Sequence, residues 1–237
     1  MSTIKTASQL ETASSFKRRV WANSTRILKI AGVLALLAAA QWMLLVIVAE
    51  TQYPNYVIQQ HFLSDLGATC QRGLVPIACV IVSPSSLIWD STLALMGLLS
   101  LASAVLVYAT TRKKGFSILF GLWGLGAFIA GAVPETLLSV HELASTVAFV
   151  GGSLAAIVAY RFLPSPLKYL SVVLGLISFA SLFALIFEGP FYRWNGIFGL
   201  GPGGIERMVV YPIIIWEIAL GAYLMSGALS PSHGEQA

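Results

Sequence analysis

Six apolar stretches dominate the hydrophobic pattern of the chain, at about residues 27–49, 87–110, 115–133, 140–162, 169–187 and 208–228. Each runs roughly 19 to 24 residues, which at 1.5 Å per residue crosses a hydrocarbon core of about 30 Å. The pattern predicts an all-α membrane fold: a six-transmembrane-helix bundle over residues 27–228, preceded by a mobile, basic segment (1–26) and followed by a polar tail (229–237). Short polar links at Thr111–Lys114 and Leu163–Pro166 force spans two and three, and four and five, into antiparallel hairpins. Small residues four apart predict close helix contacts, since backbones in lipid approach where side chains are small. They are Gly126/Ala130 and Ala127/Gly131 in span three, and Gly151/Ala155 and Gly152/Ala156 in span four. No internal repeat is visible, which argues against an inverted-repeat transporter.

Composition agrees with that pattern. The chain is 57% hydrophobic and 10% charged, against about a quarter charged in soluble domains. Charge adds an orientation. Eleven of the fourteen Lys and Arg residues lie at one side of the predicted bundle: Lys5, Lys17, Arg18, Arg19, Arg26 and Lys29 before or at span one, Arg112, Lys113 and Lys114 between spans two and three, and Arg161 and Lys168 about the fourth link. Basic loops stay in the cytoplasm, so both termini are expected there, in a cell (plasma) membrane protein. These bases flank helix ends instead of forming an aromatic-interleaved stripe, so nucleic acid is not an expected partner. The first apolar stretch is too long for the core of a cleavable signal peptide and lacks a cleavage site, so none is expected.

Seven of the ten acids fall at the other, outward side, where the long connections 50–86 and 188–207 lie. Residues 54–67 place Gln60, His61, Ser64 and Asp65 on one helical arc with Ile58, Phe62, Leu63 and Leu66 opposite. That pattern, opened by Pro54 and closed by Gly67, predicts a short amphipathic helix in the first outer loop, at the interface or tucked among the spans. It would put His61 and Asp65 at i, i+4, close enough to hydrogen-bond or share a metal. Cys70 and Cys79, the only cysteines, are expected to form a disulfide on the oxidising side. Asp90 has a helix-dipole explanation at the start of span two, and Ser139-x-x-Glu142 reads as a capping box opening span four. His141 is not explained by the cap. Glu50 and Glu188 follow helix C-termini, where the dipole opposes a carboxylate, and should seek Arg72, Arg193 or Arg207. Glu217, mid-span, is either a functional acid or a hydrogen-bonding link to a neighbouring helix.

Three segments carry a family resemblance: Tyr53-Pro54-x-Tyr56 with Leu63-Ser64-Asp65-Leu66-Gly67, then Gly131-x-x-Pro134-Glu135 with His141, and the Gly-rich run ending in Glu206-Arg207. Together they resemble the prokaryotic membrane family of unknown function number 998 (DUF998), over about residues 30–228, with a more distant likeness to the eukaryotic Frag1/DRAM/Sfk1 group. Asp90 departs from the amide that family often has beside span two. The resemblance implies six helices and an outward polar site, and brings no activity.

The residues leave four functions open. The leading one is a vestibule, lined by His61, Ser64, Asp65, Glu135, His141 and Arg207, that binds a lipid headgroup or small solute. The second is an outer-leaflet lipid hydrolase, metal-assisted through His61, Asp65 and His141 or acid–base in mechanism. It lacks the H-E-x-x-H and G-x-S-x-G signatures. The others are a proton- or cation-coupled transporter using Glu217 and a structural subunit of a membrane complex. Haem would need histidines deeper in the bundle. No cofactor or metal is assigned, and the expected partner is the lipid bilayer.

Overall fold

The computed structural model describes residues 7–71, 78–133, 135–187 and 199–227. Six helices among them are long and apolar enough to span a membrane: α1 (Ala7–Gln52, apolar from Asn23), α2 (Ser85–Thr111), α3 (Lys114–Ala132), α4 (Leu138–Val158), α5 (Leu167–Ile186) and α6 (Gly201–Met225). A single 3-10 turn, Ala159–Arg161, extends α4.

Two helix starts differ from the hydropathy pattern. α1 begins at Ala7, well before the first apolar stretch, because residues 7–26 contain neither Gly nor Pro to interrupt a helix. The boundary near residue 27 is therefore one of polarity and not of structure. α6 begins at Gly201, with Pro202 in its first turn, whereas its Gly-rich run read as loop. The cause is tertiary. A Cβ on Gly203 would strike the Ile58 and His61 carbonyls, so these glycines let the helix start press against the 58–61 turn.

Each helix packs chiefly on its neighbours in sequence, and α6 returns to α1, closing a ring of six. Glycines set the spacing. A Cβ on Gly32 would lie 2.6 Å from the Gly221 carbonyl oxygen, and one on Gly221 2.7 Å from Leu36 N, so the α1–α6 seam closes only on glycine. The predicted small-residue contacts are present at Gly126, against Ala144 and Ala148, and at Gly151, against the Leu119 carbonyl. Hydroxyls add interhelical bonds: Ser103 donates to the Ala31 carbonyl (2.8 Å), Ser178 to that of Val209 (2.7 Å), and Thr92 pairs with Gln41. Trp42, Trp123, Trp216 and Phe120 fill the interior, with the Phe120 and Trp216 rings edge-on at 5.7 Å.

The two ends of the ring differ. One carries the α2–α3 and α4–α5 links, where Arg112, Lys113 and Lys168 lie over the rings of Tyr108, Phe162 and Tyr169. The other, here the loop end, carries residues 53–71 and 78–84. In it β1 (Thr69–Gln71) pairs antiparallel with β2 (Ala78–Val80), Cys70 opposite Cys79, and the two cysteines form a disulfide.

Candidate functional site

At the loop end the chain does not form the expected amphipathic helix. Asn55 takes a left-handed conformation (φ 58°), residues 58–60 turn, and only Ser64–Leu66 form a single 3-10 turn. The segment Leu63–Ala68 is buried throughout, so it dips back among the helix ends and does not lie on the bilayer surface. Its polar backbone must then find partners inside. Phe62 N–H donates to Asp65 Oδ2 (2.7 Å), Leu63 N–H donates to Glu206 Oε2, and the Leu66 carbonyl accepts from Ser85 Oγ (3.2 Å). Gly67 is required for close approach, since a Cβ there would sit 2.8 Å from Asp90 Oδ1 and 2.9 Å from the Trp89 ring.

Arg207 anchors the other half of the loop. Its Nη2 donates to Glu50 Oε1 (2.6 Å) and Tyr56 Oη (2.7 Å), and its Nη1 to the carbonyls of Gly203 (2.9 Å), Ile58 (3.3 Å) and His61 (3.4 Å). Tyr56 passes the link on by donating to the Phe62 carbonyl (2.9 Å). Burial pushes the Tyr56 hydroxyl well above its ordinary value, partly offset by the Arg207 charge, so it keeps the proton it donates. Glu50 at the α1 C-terminus thus has the cationic partner its position calls for. Glu188, Arg72 and Arg193 lie outside the described residues.

A cavity of about 290 Å³ opens beside this loop. Ser64, Glu135, His141, Glu142, Ser145, Thr146 and Glu206 form its polar side, and Phe62, Phe149 and α5 residues Leu182, Leu185 and Ile186 its apolar side. Ser64, His141, Ser145, Phe149 and Glu206 also line a deeper cavity of about 30 Å³, walled by Trp42, Trp89, Met96 and Trp123. The two cavities are therefore adjacent, sharing these five residues as a common wall. Glu135, His141 and Glu206 are all buried. His141 Nδ1 lies 3.3 Å from the Val133 carbonyl, an acceptor, so Nδ1 carries a proton. The disulfide backs the site, with Cys70 Sγ 3.8 Å from the Glu135 carbonyl oxygen.

The expected vestibule set thus divides. Ser64, Glu135 and His141 converge on the cavity. His61, Asp65 and Arg207 do not line it and instead build the loop beside it. The His61 ring stacks on Tyr56 (5.3 Å), and its Nδ1 accepts from Val57 N–H (3.1 Å). Without a helix the i, i+4 relation of His61 and Asp65 has no force, and among the described residues no three of His, Cys, Asp and Glu are grouped as metal ligands. The His61–Asp65–His141 set does not assemble.

Two helix-end readings also change. α4 starts at Leu138, so Ser139 is already helical and makes no cap; Glu142 is left exposed at the cavity rim. Asp90 sits beyond the first turn of α2, where the dipole explanation fails. Glu206 is the main functional candidate missed. A signal for part of the polar wall existed in the four-residue spacing of His141, Ser145 and Phe149 and of Glu142 and Thr146, which stacks them on one face of α4.

Glu217 lines neither cavity. It is fully buried, accepting from Ser100 Oγ (2.6 Å) on α2 and Trp123 Nε1 (2.8 Å) on α3. Its carboxyl crosses the interior and joins α6 to the opposite wall of the ring.

Six spanning helices closed into a ring, with an inward-dipping loop fixed by the last of them, define a polytopic membrane protein with a polar cavity at one end. The chain belongs to the DUF998 family, described as protein of unknown function, whose profile matches residues 17–223. No curated protein and no solved structure matches it.

Proposed function

We propose that this protein binds an amphiphile at the loop end, seating a hydrogen-bond-donating, ammonium-bearing head group against the carboxylates and the apolar part against α5. The observation that carries this is the two-sided 290 Å³ cavity, acidic and hydroxylic on its α4 side and apolar on its α5 side, with no Lys or Arg among its described lining residues. Carboxylates and hydroxyls accept hydrogen bonds that an ammonium supplies, and a charged donor makes such bonds stronger. In the cell membrane the loop end faces outward and both termini inward, as the basic links at the opposite end and the disulfide at this end support.

Native mass spectrometry of the purified protein with phosphatidylethanolamine and phosphatidylcholine is the direct test. Retention of the ethanolamine lipid over the choline lipid is expected, because a quaternary ammonium has no N–H to donate. Glu135→Gln should weaken that retention by about tenfold, given about 1.5–3 kcal/mol for a hydrogen bond to a charged group. Equal retention of both lipids would contradict the proposal.

One observation favours a second reading, an acid–base lipid hydrolase. Ser64, His141 and Glu135 share the cavity, a hydroxyl, an imidazole and a carboxyl in one polar wall. Turnover of a vesicle lipid that Ser64→Ala abolishes and Glu142→Gln does not would favour it over binding alone.

A further inference from the structure

A second hollow lies at the other end of the molecule, on the lipid-facing side of α2 and α3, with a volume of about 440 Å³. Its walls are apolar: Leu101 and Val105 of α2, and Ile118, Leu122 and Leu125 of α3. Lys114 closes it at the end where the basic links lie, next to Tyr108, over whose ring the Arg112 guanidinium sits at 5.5 Å. From Lys114 to Leu125 the helix rises about 16 Å, roughly half a hydrocarbon core of about 30 Å, so the groove is as deep as one leaflet.

The groove exists because of Gly121. The other glycines facing across the α2–α3 seam are there for close packing. A Cβ on Gly124 would lie 2.5 Å from Leu101 N, and one on Gly97 or Gly131 would strike the facing backbone. At Gly121 a Cβ would meet only Leu101 Cδ1 at 3.7 Å and the Ala104 Cβ at 3.9 Å, ordinary contact distances. Helix packing therefore does not require this glycine; the missing side chain leaves space. Ser117, one turn inward from Lys114, is buried in the same groove, and its hydroxyl has no partner among the described residues. Buried hydroxyls ordinarily have one.

We propose that this groove is a site for an anionic phospholipid of the adjacent leaflet, with one acyl chain along Gly121 and the phosphate at Lys114 and Arg112. The three features fit that occupant together. The depth matches a leaflet, two cations stand at head-group level, and a hydroxyl lies one turn below them, where the ester carbonyl of such a lipid falls. The site is independent of the loop-end cavity, from which it is separated along the bundle.

The test is native mass spectrometry of the full chain released from mixed micelles holding equal phosphatidylglycerol and phosphatidylcholine. The wild type should carry phosphatidylglycerol preferentially. Lys114→Ala should reduce that preference about fivefold, the effect of one basic residue near an anionic lipid. Gly121→Leu should remove the bound lipid while leaving helicity and thermal midpoint unchanged, since the new side chain fills space and displaces nothing. Unchanged lipid retention in Gly121→Leu would overturn the proposal. So would equal retention of the two lipids by the wild type, or a wild-type dimer that Gly121→Leu abolishes with lipid retained, which would assign the groove to a second copy of the chain.

Discussion

Arg207 and Glu217 show what a charged residue in a spanning helix is for when it does not face the cavity. Arg207 gathers a carboxylate, a phenol and three backbone carbonyls, a number of donors in one plane that only guanidinium supplies. Arg207→Ala leaves the partly buried Glu50 without its cation and should cost about 3 kcal/mol in thermal unfolding in detergent. Lysine should fail to restore it. Glu217→Gln keeps a donor for Ser100 and an acceptor for Trp123, and should unfold close to the wild-type temperature. Glu217→Ala loses two interhelical bonds and leaves a void, at about 2–3 kcal/mol. A transport role would make the glutamine variant as defective in function as the alanine one, so the pair separates the two roles. Tyr56 gives a pH test. Because its folded value is raised above the ordinary one near 10, its contribution is fully present below that pH and declines only above it. Tyr56→Phe should remove this alkaline loss. At this scale the sequence was partly legible. Glu50 announced its need for a cation through its place at a helix end. Glu206 gave no such sign, because its task is to accept an amide 143 residues away in the chain.

At the scale of the element, the spans were readable because lipid demands a long apolar run, and all six helices end within a few residues of their apolar stretches. What could not be read was where tertiary contact overrides local preference. The run Gly201–Gly204 has low helix propensity, yet it is the start of α6 because only glycine fits beneath the 58–61 turn. Residues 54–67 have amphipathic spacing, yet their second half turns inward whole, polar Ser64 and Asp65 buried together with apolar Leu63 and Leu66. The seam between α1 and α6 offers a direct check on such packing. Gly221→Leu should separate the two helices and cost about 1–3 kcal/mol or more by overpacking, whereas the same change at Gly121 should cost almost nothing. Thermal unfolding of the two variants side by side measures the difference.

For the whole molecule, the ring explains why polar groups concentrate at one end. Its wall is built from neighbours in sequence, its middle is filled by Trp42, Trp123 and Trp216, and the polar cavity lies at the loop end. The proposed orientation rests on the basic links and has a direct test. A membrane-impermeant maleimide applied to intact cells, after an impermeant reductant, should label Cys70 and Cys79. A fluorescent protein fused to the C-terminus should light up in the cytoplasm. Labelling only after lysis would reverse the topology and remove the proposed cavity from the outer leaflet.

The ring is closed by its first and last helices, and that has a consequence for how the protein is made. A membrane chain is inserted in order, so α1 must wait through the synthesis of four further helices before the face bearing Gly32 meets Gly221. The same last helix brings Arg207 and Glu206 to the loop, and Glu217 to the far wall. A nascent chain is therefore a row of hairpins with an unsecured loop until α6 arrives, and the cavity is born in the final step. A chain that stops before α6 carries most of the cavity wall but lacks Glu206 and Arg207, and the Gly32 face of its first helix stays uncovered.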